Sequence, residues 1–140
     1  MEIRDLVVRD LVTVGPAHTL SQAAQLMSAK RVGSAIVLTD ESPGILSERD
    51  VLRAVADGAD PTTAVVGDYM TWNAIVATSE WDTMEAARTM LEHGFRHLVV
   101  IDGSSASEIG ILSIRDLMAG ILGCSRPDRS NLAGIAGEGY

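Results

Sequence analysis

The heptad Gly-Ile-Leu-Ser-x-Arg-Asp occurs twice in the sequence, at residues 44–50 and 110–116. Each copy places a serine three residues before an aspartate, Ser47 before Asp50 and Ser113 before Asp116. That spacing is the pattern of a helix capping box, in which hydroxyl and carboxylate satisfy backbone amides that a helix start leaves orphaned. The same arrangement suits ligand binding. A strand feeding a helix N-terminus presents N–H groups and positive partial charge to an anion such as phosphate. An ionised aspartate beside it accepts hydrogen bonds only, so it is fitted to grip two vicinal ribose hydroxyls. Both readings hold together. The joint recurrence of Gly, Ser, Arg and Asp favours more than capping alone, although Arg49 and Arg115, in a helix first turn, also suit a solvated position.

Other chemistries find little support. His18, His93 and His97 lie at no metal-ligand spacing, and a pairing of His93 with His97 would need a helix that Gly94 is placed to end. There is no phosphate loop of the P-loop type and no ordering of Ser, His and Asp that suggests a triad. Cys124 is the only cysteine of the 140 residues, which excludes an internal disulfide and a cysteine metal site. Met27, Met70, Met84, Met90 and Met118 recur beside apolar positions and read as packing. No nucleophile, metal cluster or carboxylate pair has a stated task, so a non-enzyme is expected.

The charge balance points the same way. Nineteen acidic residues outnumber eleven basic ones, for a formal net charge of -8. That disfavours nucleic acid and anionic membrane as partners. A small anion remains compatible, because local amides and an arginine outweigh a distant field. Apolar residues make up 46% and aromatics 4%, so the core must be aliphatic. The first ten residues are charged and amphipathic, unlike a signal peptide, and the apolar runs are too short to span a bilayer. A cytoplasmic location is the expectation.

The elements that position these residues come from an internal duplication. At an offset of 63, Asp5 falls on Asp68, Ala23-Ala24 on Ala86-Ala87, Met27 on Met90 and Val37 on Val100. Three residues further on, the two heptads align with six of seven positions identical. The second copy therefore carries a three-residue longer loop before its heptad. Each unit reads as β-α-β-β-α. The first strand is expected at 11–14 and 74–77. Thr19 and Asp82 are expected to cap the next helix, with Gln22 and Glu85 completing capping boxes. Helical spacing puts Leu20, Ala23, Ala24 and Met27 on one face of the first such helix, and Met84, Ala87 and Leu91 on one face of the second. The unbroken apolar runs 35–38 and 98–101 suggest strands buried on both sides. Gly-Ile-Leu forms the third strand. The last helix starts at Ser47 or Ser113 and carries Val51, Leu52 and Val55, or Leu117, Met118 and Ile121. Asp57 to Thr63 links the halves. Residues 124–140, rich in glycine, read as a mobile tail that folding does not need.

The double unit resembles a tandem pair of CBS domains, a Bateman module, over roughly residues 3–123. The specific signature is the heptad in both halves. Support comes from Glu92-His93-Gly94-Phe95-Arg96-His97-Leu98-Val99-Val100-Ile101-Asp102, with Val99 where many members carry proline. The resemblance implies an α+β fold of two pseudo-symmetric repeats, 3–58 and 66–123, with ligand clefts built across them. It implies that one cleft joins Ser47, Arg49 and Asp50 to Thr71, Asn73, Ile75, Phe95, Arg96 and His97. The other joins Ser113, Arg115 and Asp116 to Val8, Asp10, Val12, Val32, Gly33 and Ser34. The clefts are unequal. The first has Arg96 and His97 where phosphate is met, residues that would otherwise suit a solvated strand entrance. The second has Gly33 and Ser34 there, with the unhelpful charge of Asp10 nearby. The expected ligand is AMP, ADP or ATP, with S-adenosylmethionine or a dinucleotide as alternatives and no required cofactor. The expected partners are a second copy of the chain, packed through helices as a flat dimer, and an effector protein acted on in trans. The rivals are a ligand-free dimerisation or docking module and, behind it, a nucleotide-processing enzyme.

Overall fold

The computed structural model describes residues 1–103 and 108–124; the expected tail from 125 onward lies outside them. The order of elements is β1 (Thr13–Val14), α1 (Leu20–Lys30), β2 (Ser34–Val37), β3 (Gly44–Ser47), α2 (Glu48–Ala56), β4 (Val76–Ala77), α3 (Thr83–His93), β5 (His97–Ile101), β6 (Ile109–Ser113) and α4 (Ile114–Leu122). Short 3-10 turns at Arg4–Leu6 and Val66–Asp68 precede each half. The α+β class and the duplicated β-α-β-β-α order are as the sequence implied. Among the described residues, no helix is long and apolar enough to cross a membrane.

Each half forms a three-stranded sheet. β1 runs parallel to β2, β2 antiparallel to β3, and β4, β5 and β6 repeat that order. β2 is buried throughout and β5 at Leu98, Val99 and Val100, with its end residues half-buried, in keeping with their apolar runs. The first strands are two residues long, shorter than expected, although the Val12 carbonyl still accepts from the Ile36 amide at 2.9 Å.

The halves are interlaced. Ile3 and Leu6 are buried in the second half's core with Leu98, Leu112 and Leu117. Val66 and Met70 are buried in the first half's core with Leu20, Val37 and Leu46. Backbone pairing follows the same exchange: Val8 bridges Ile111 on β6, and Thr71 bridges Ile45 on β3. The heptad glycines permit it. A Cβ on Gly44 would lie 2.6 Å from the Thr71 carbonyl oxygen, and one on Gly110 would lie 2.3 Å from Val7 Cγ1. Ile36, Val99 and Ile109, with Ile45, Val76 and Ile111 against them, form a third apolar layer between the sheets.

Thr19 and Gln22 form the expected capping box at α1. Asp82 caps α3 by accepting from the Met84 amide at 2.9 Å, and also receives the Met1 ammonium at 2.8 Å, so Glu85 is not the partner the box pattern implied. Gly94 ends α3 in the left-handed region, as expected. The buried faces of three helices differ from expectation. α3 buries Thr83, Ala86 and Met90, while Met84 and Leu91 are exposed by 53% and 77%. α2 buries Asp50 and Ala54 and leaves Leu52 and Val55 exposed. α4 buries Leu117 but exposes Met118 and Ile121. These helices carry apolar side chains on both faces, so spacing alone could not choose the inward one.

Candidate functional site

The two heptads open α2 and α4, and each start is built as the spacing implied. Ser47 Oγ accepts from the Asp50 amide at 3.3 Å, and Asp50 Oδ2 accepts from the Ser47 amide at 2.8 Å and the Ser47 hydroxyl at 3.2 Å. In α4, Ser113 Oγ accepts from the Asp116 amide at 3.1 Å and donates to Asp116 Oδ2 at 2.9 Å. Capping is thus satisfied at both helix starts. Asp50 and Asp116 are nonetheless buried carboxylates, only 8% and 6% exposed.

A cleft of about 1110 Å³ opens over the first of these starts. Every residue expected for the first cleft lines it: Ser47, Arg49, Asp50, Thr71, Asn73, Ile75, Phe95, Arg96 and His97. The interlacing explains how. Thr71 reaches the cleft because it is bridged to β3, and Asn73 follows in a left-handed turn at φ 51°, its Oδ1 accepting from the Ser42 hydroxyl at 2.8 Å. Phe95 and Arg96 lie in the short connection from α3 to β5, and His97 opens that strand.

Sequence reasoning missed Arg53 and His93 on the same walls. Arg53 Nη2 sits 3.4 Å from Asp50 Oδ1 and donates to the Tyr69 carbonyl at 2.9 Å. Its place one helical turn beyond Arg49 and Asp50 was the available signal. His93 ends α3, with its ring against Phe95 at a centroid distance of 5.4 Å. Arg49 donates to the Gly94 carbonyl at 3.0 Å, so it ties α2 to the end of α3 and is not a freely solvated side chain. Three arginines outnumber the carboxylates of Glu48 and Asp50 on the walls of this cleft, and His93 and His97 add ring nitrogens beside them. Such a surface has what a phosphorylated sugar requires, donors for phosphate and an acceptor for hydroxyls.

The second cleft is smaller, about 230 Å³. Val8, Asp10, Val12, Val32, Gly33, Ser34, Ser113 and Arg115 line it as expected. Asp116 does not. It is 6% exposed, its carboxylate accepts from the Ser113 hydroxyl, and it is not among the residues lining this cleft. Glu48 and His97 line this cleft as well as the larger one, Arg31 lines it too, and none of the three was expected there. The Asp10 carboxylate is held in an ion pair by Lys30. Among the described residues there is no group of three or more His, Cys, Asp or Glu that could hold a metal ion.

Two interlaced β-α-β-β-α repeats with a cleft at each heptad define a duplicated two-cleft architecture. The sequence profile of the CBS domain matches residues 3–57 and 66–123, and the chain belongs to that family as a tandem pair. Over 118 residues it is 32% identical to the uncharacterized protein MJ1225 of Methanocaldococcus jannaschii, covering 83% of this chain and 41% of that protein. The chain thus spans less than half the length of that relative. Among solved structures, it resembles the hexameric CBS-CP12 protein from bloom-forming cyanobacteria, with a TM-score of 0.77 and 25% identity over 84% of this chain and 70% of that one. It also resembles the CBS domain protein PAE2072 from Pyrobaculum aerophilum complexed with AMP, with a TM-score of 0.72 and 27% identity over 97% and 98% of the two chains.

Proposed function

We propose that the chain is a non-catalytic regulatory module that binds an adenine nucleotide in the larger cleft and signals its presence to a partner protein in trans. One observation carries this reading: the buried Asp50 carboxylate and the Arg96 and His97 side chains, from opposite halves of the duplication, line one cleft. Asp50 takes the ribose hydroxyls, Arg96 and His97 take phosphate, and Thr71, Asn73 and Ile75 flank the base. The AMP complex of the similar PAE2072 supports the choice of an adenine nucleotide. A volume of about 1110 Å³ is ample for AMP, ADP or ATP, since ligand pockets run from roughly 300 to 1,000 Å³. A ligand touching both repeats stabilises one arrangement of them and shifts a partner equilibrium by its affinity difference between states. Titration calorimetry with AMP, ADP, ATP and S-adenosylmethionine tests the reading. Saturable binding of at least one adenine nucleotide is expected, and no heat with any of them overturns it.

A second element of the proposal concerns assembly. Leu52 and Val55 on α2 and Met118, Ile121 and Leu122 on α4 are large apolar side chains left exposed. They support self-association through helices, the arrangement expected of a homodimer. The oligomer of the similar CBS-CP12 protein is consistent with helix-mediated or other self-association in this fold.

A further inference from the structure

The two clefts differ at a side chain that the duplication does not reproduce. In the register of the heptads, Glu48 stands where the second copy has Ile114. Its carboxylate is not confined to the cleft of its own heptad, because Glu48 also lines the smaller cleft. There it meets Gly33. A Cβ placed on Gly33 would lie 3.1 Å from Glu48 Oε1 and 3.3 Å from His97 Cε1. The Glu48 amide donates to the Gly33 carbonyl at 2.9 Å, which fixes the start of α2 beside this glycine.

Gly33 is the repeat counterpart of Arg96, and Ser34 that of His97. The smaller cleft therefore has a carboxylate against the position where the larger cleft has a guanidinium. Its volume of about 230 Å³ is also below the roughly 300 Å³ at which ligand pockets begin. Charge and bulk act in the same direction. A phosphate beside Gly33 would face Glu48 across a few ångströms; Arg31 and Arg115 also line the cleft and Lys30 pairs with Asp10, so Glu48 is the carboxylate that opposes it.

We propose that Glu48 limits the chain to one phosphate-bearing nucleotide, held in the larger cleft, by occupying the phosphate position of the smaller one. This rests on the nucleotide reading above and adds a specificity-determining residue to it. The smaller cleft keeps Arg31, Ser113 and Arg115, so it is a closed site rather than a missing one.

Titration calorimetry with AMP on the full chain tests this through stoichiometry. The parent should bind one AMP per chain. Glu48→Ala, which removes charge and bulk, should bind two, the second at least tenfold more weakly. Glu48→Gln, which keeps the bulk and preserves the helix start, should also gain weak second binding. Adding Arg115→Ala to Glu48→Ala should return the count to one, which locates the new site in the smaller cleft. Two AMP per parent chain, one per chain in both folded Glu48 variants, or a second site that survives loss of Arg115 would each overturn the role of Glu48. A parent that binds no nucleotide would overturn the nucleotide reading itself, so the two failures are distinct.

Discussion

Replacing Asp50 with asparagine separates the two tasks assigned to its carboxylate. As a cap it accepts from the Ser47 amide at 2.8 Å and the Ser47 hydroxyl at 3.2 Å, with Arg53 3.4 Å from its other oxygen. The asparagine carbonyl can take over the amide bond, so the cap survives in part. What is lost is the charge assistance and the Arg53 contact. Arg53 is 55% exposed, so that contact contributes at most about 1 kcal/mol. The whole cost to folding should be about 1 kcal/mol, or roughly 3–5 °C in melting temperature for a chain of this size. The cost to binding is larger. Hydrogen bonds to a charged group are worth roughly 1.5–3 kcal/mol, and asparagine also presents a donor where the ribose hydroxyl must donate. Nucleotide affinity should therefore fall by roughly tenfold to 150-fold. A 2′-deoxy nucleotide should bind the parent weakly and lose less on substitution. Calorimetry on parent and Asp50→Asn, with melting curves on the same samples, decides the matter. If the folded variant binds within twofold of the parent while its melting temperature falls, the carboxylate is a cap and no more.

Three further outcomes follow from the packing and the charges. Gly44→Ala should cost roughly 1–3 kcal/mol in urea unfolding, because the new Cβ meets the Thr71 carbonyl at 2.6 Å and backbone cannot yield as a side chain does; it should weaken nucleotide binding too, since Thr71 and Asn73 are cleft walls. The Ser79 hydroxyl and amide, and after them Arg9, hold the Asp102 carboxyl below its usual range, so its stabilising contribution is present above the unfolded-state pKa of about 3.9 and disappears as pH falls through the lower folded value. The melting temperatures of parent and Asp102→Asn, measured from pH 7 downward, should differ at neutral pH and converge in acid; a gap constant to the lowest pH would refute this. Light scattering of the parent should give twice the 14.8 kDa chain mass, and Val55→Glu with Met118→Glu should reduce it to one chain; an unchanged mass in the double variant would clear α2 and α4 of the contact.

The sequence carried the repeat and the element order, because these rest on short local signals: a serine and an acid at fixed spacing, an apolar run, a glycine stop; which residues meet across the repeats came only with the family resemblance, and most but not all of them line the two clefts. The direction in which α3 faces was carried less well. Its inward positions hold Thr83, Ala86 and Met90, and Met84 and Leu91 outside them offered the more apolar stripe. The duplication contained the correction, since Leu20, Ala23 and Met27 of α1 fall on those three positions at the offset of 63. A core threonine is easily passed over by a search for apolar spacing, whereas a repeat register is indifferent to polarity. The withdrawal of Asp116 from its cleft and the reach of Glu48 into that cleft had no sequence signal. Both depend on which way a side chain turns after its helix has been placed.

Interlacing links these features to signalling. Each cleft takes walls from both halves: Ser47 and Asp50 come from the first heptad, Arg96 and His97 from the second half, and Thr71 from the segment that crosses back to β3. Arg53 and Arg49 span the same junctions, to Tyr69 and Gly94. A nucleotide in the larger cleft would therefore add contacts where the crossing segment and the end of α3 meet α2. α2 also carries the exposed Leu52 and Val55, and Leu52 lines the larger cleft as well. Binding against this nine-residue helix thus bears directly on a surface proposed for association. A ligand that prefers one setting of α2 must alter the association equilibrium by the same free energy with which association alters its own affinity. Nucleotide affinity should accordingly depend on protein concentration across the dimer transition, and it should lose that dependence when Val55 and Met118 are replaced by glutamate.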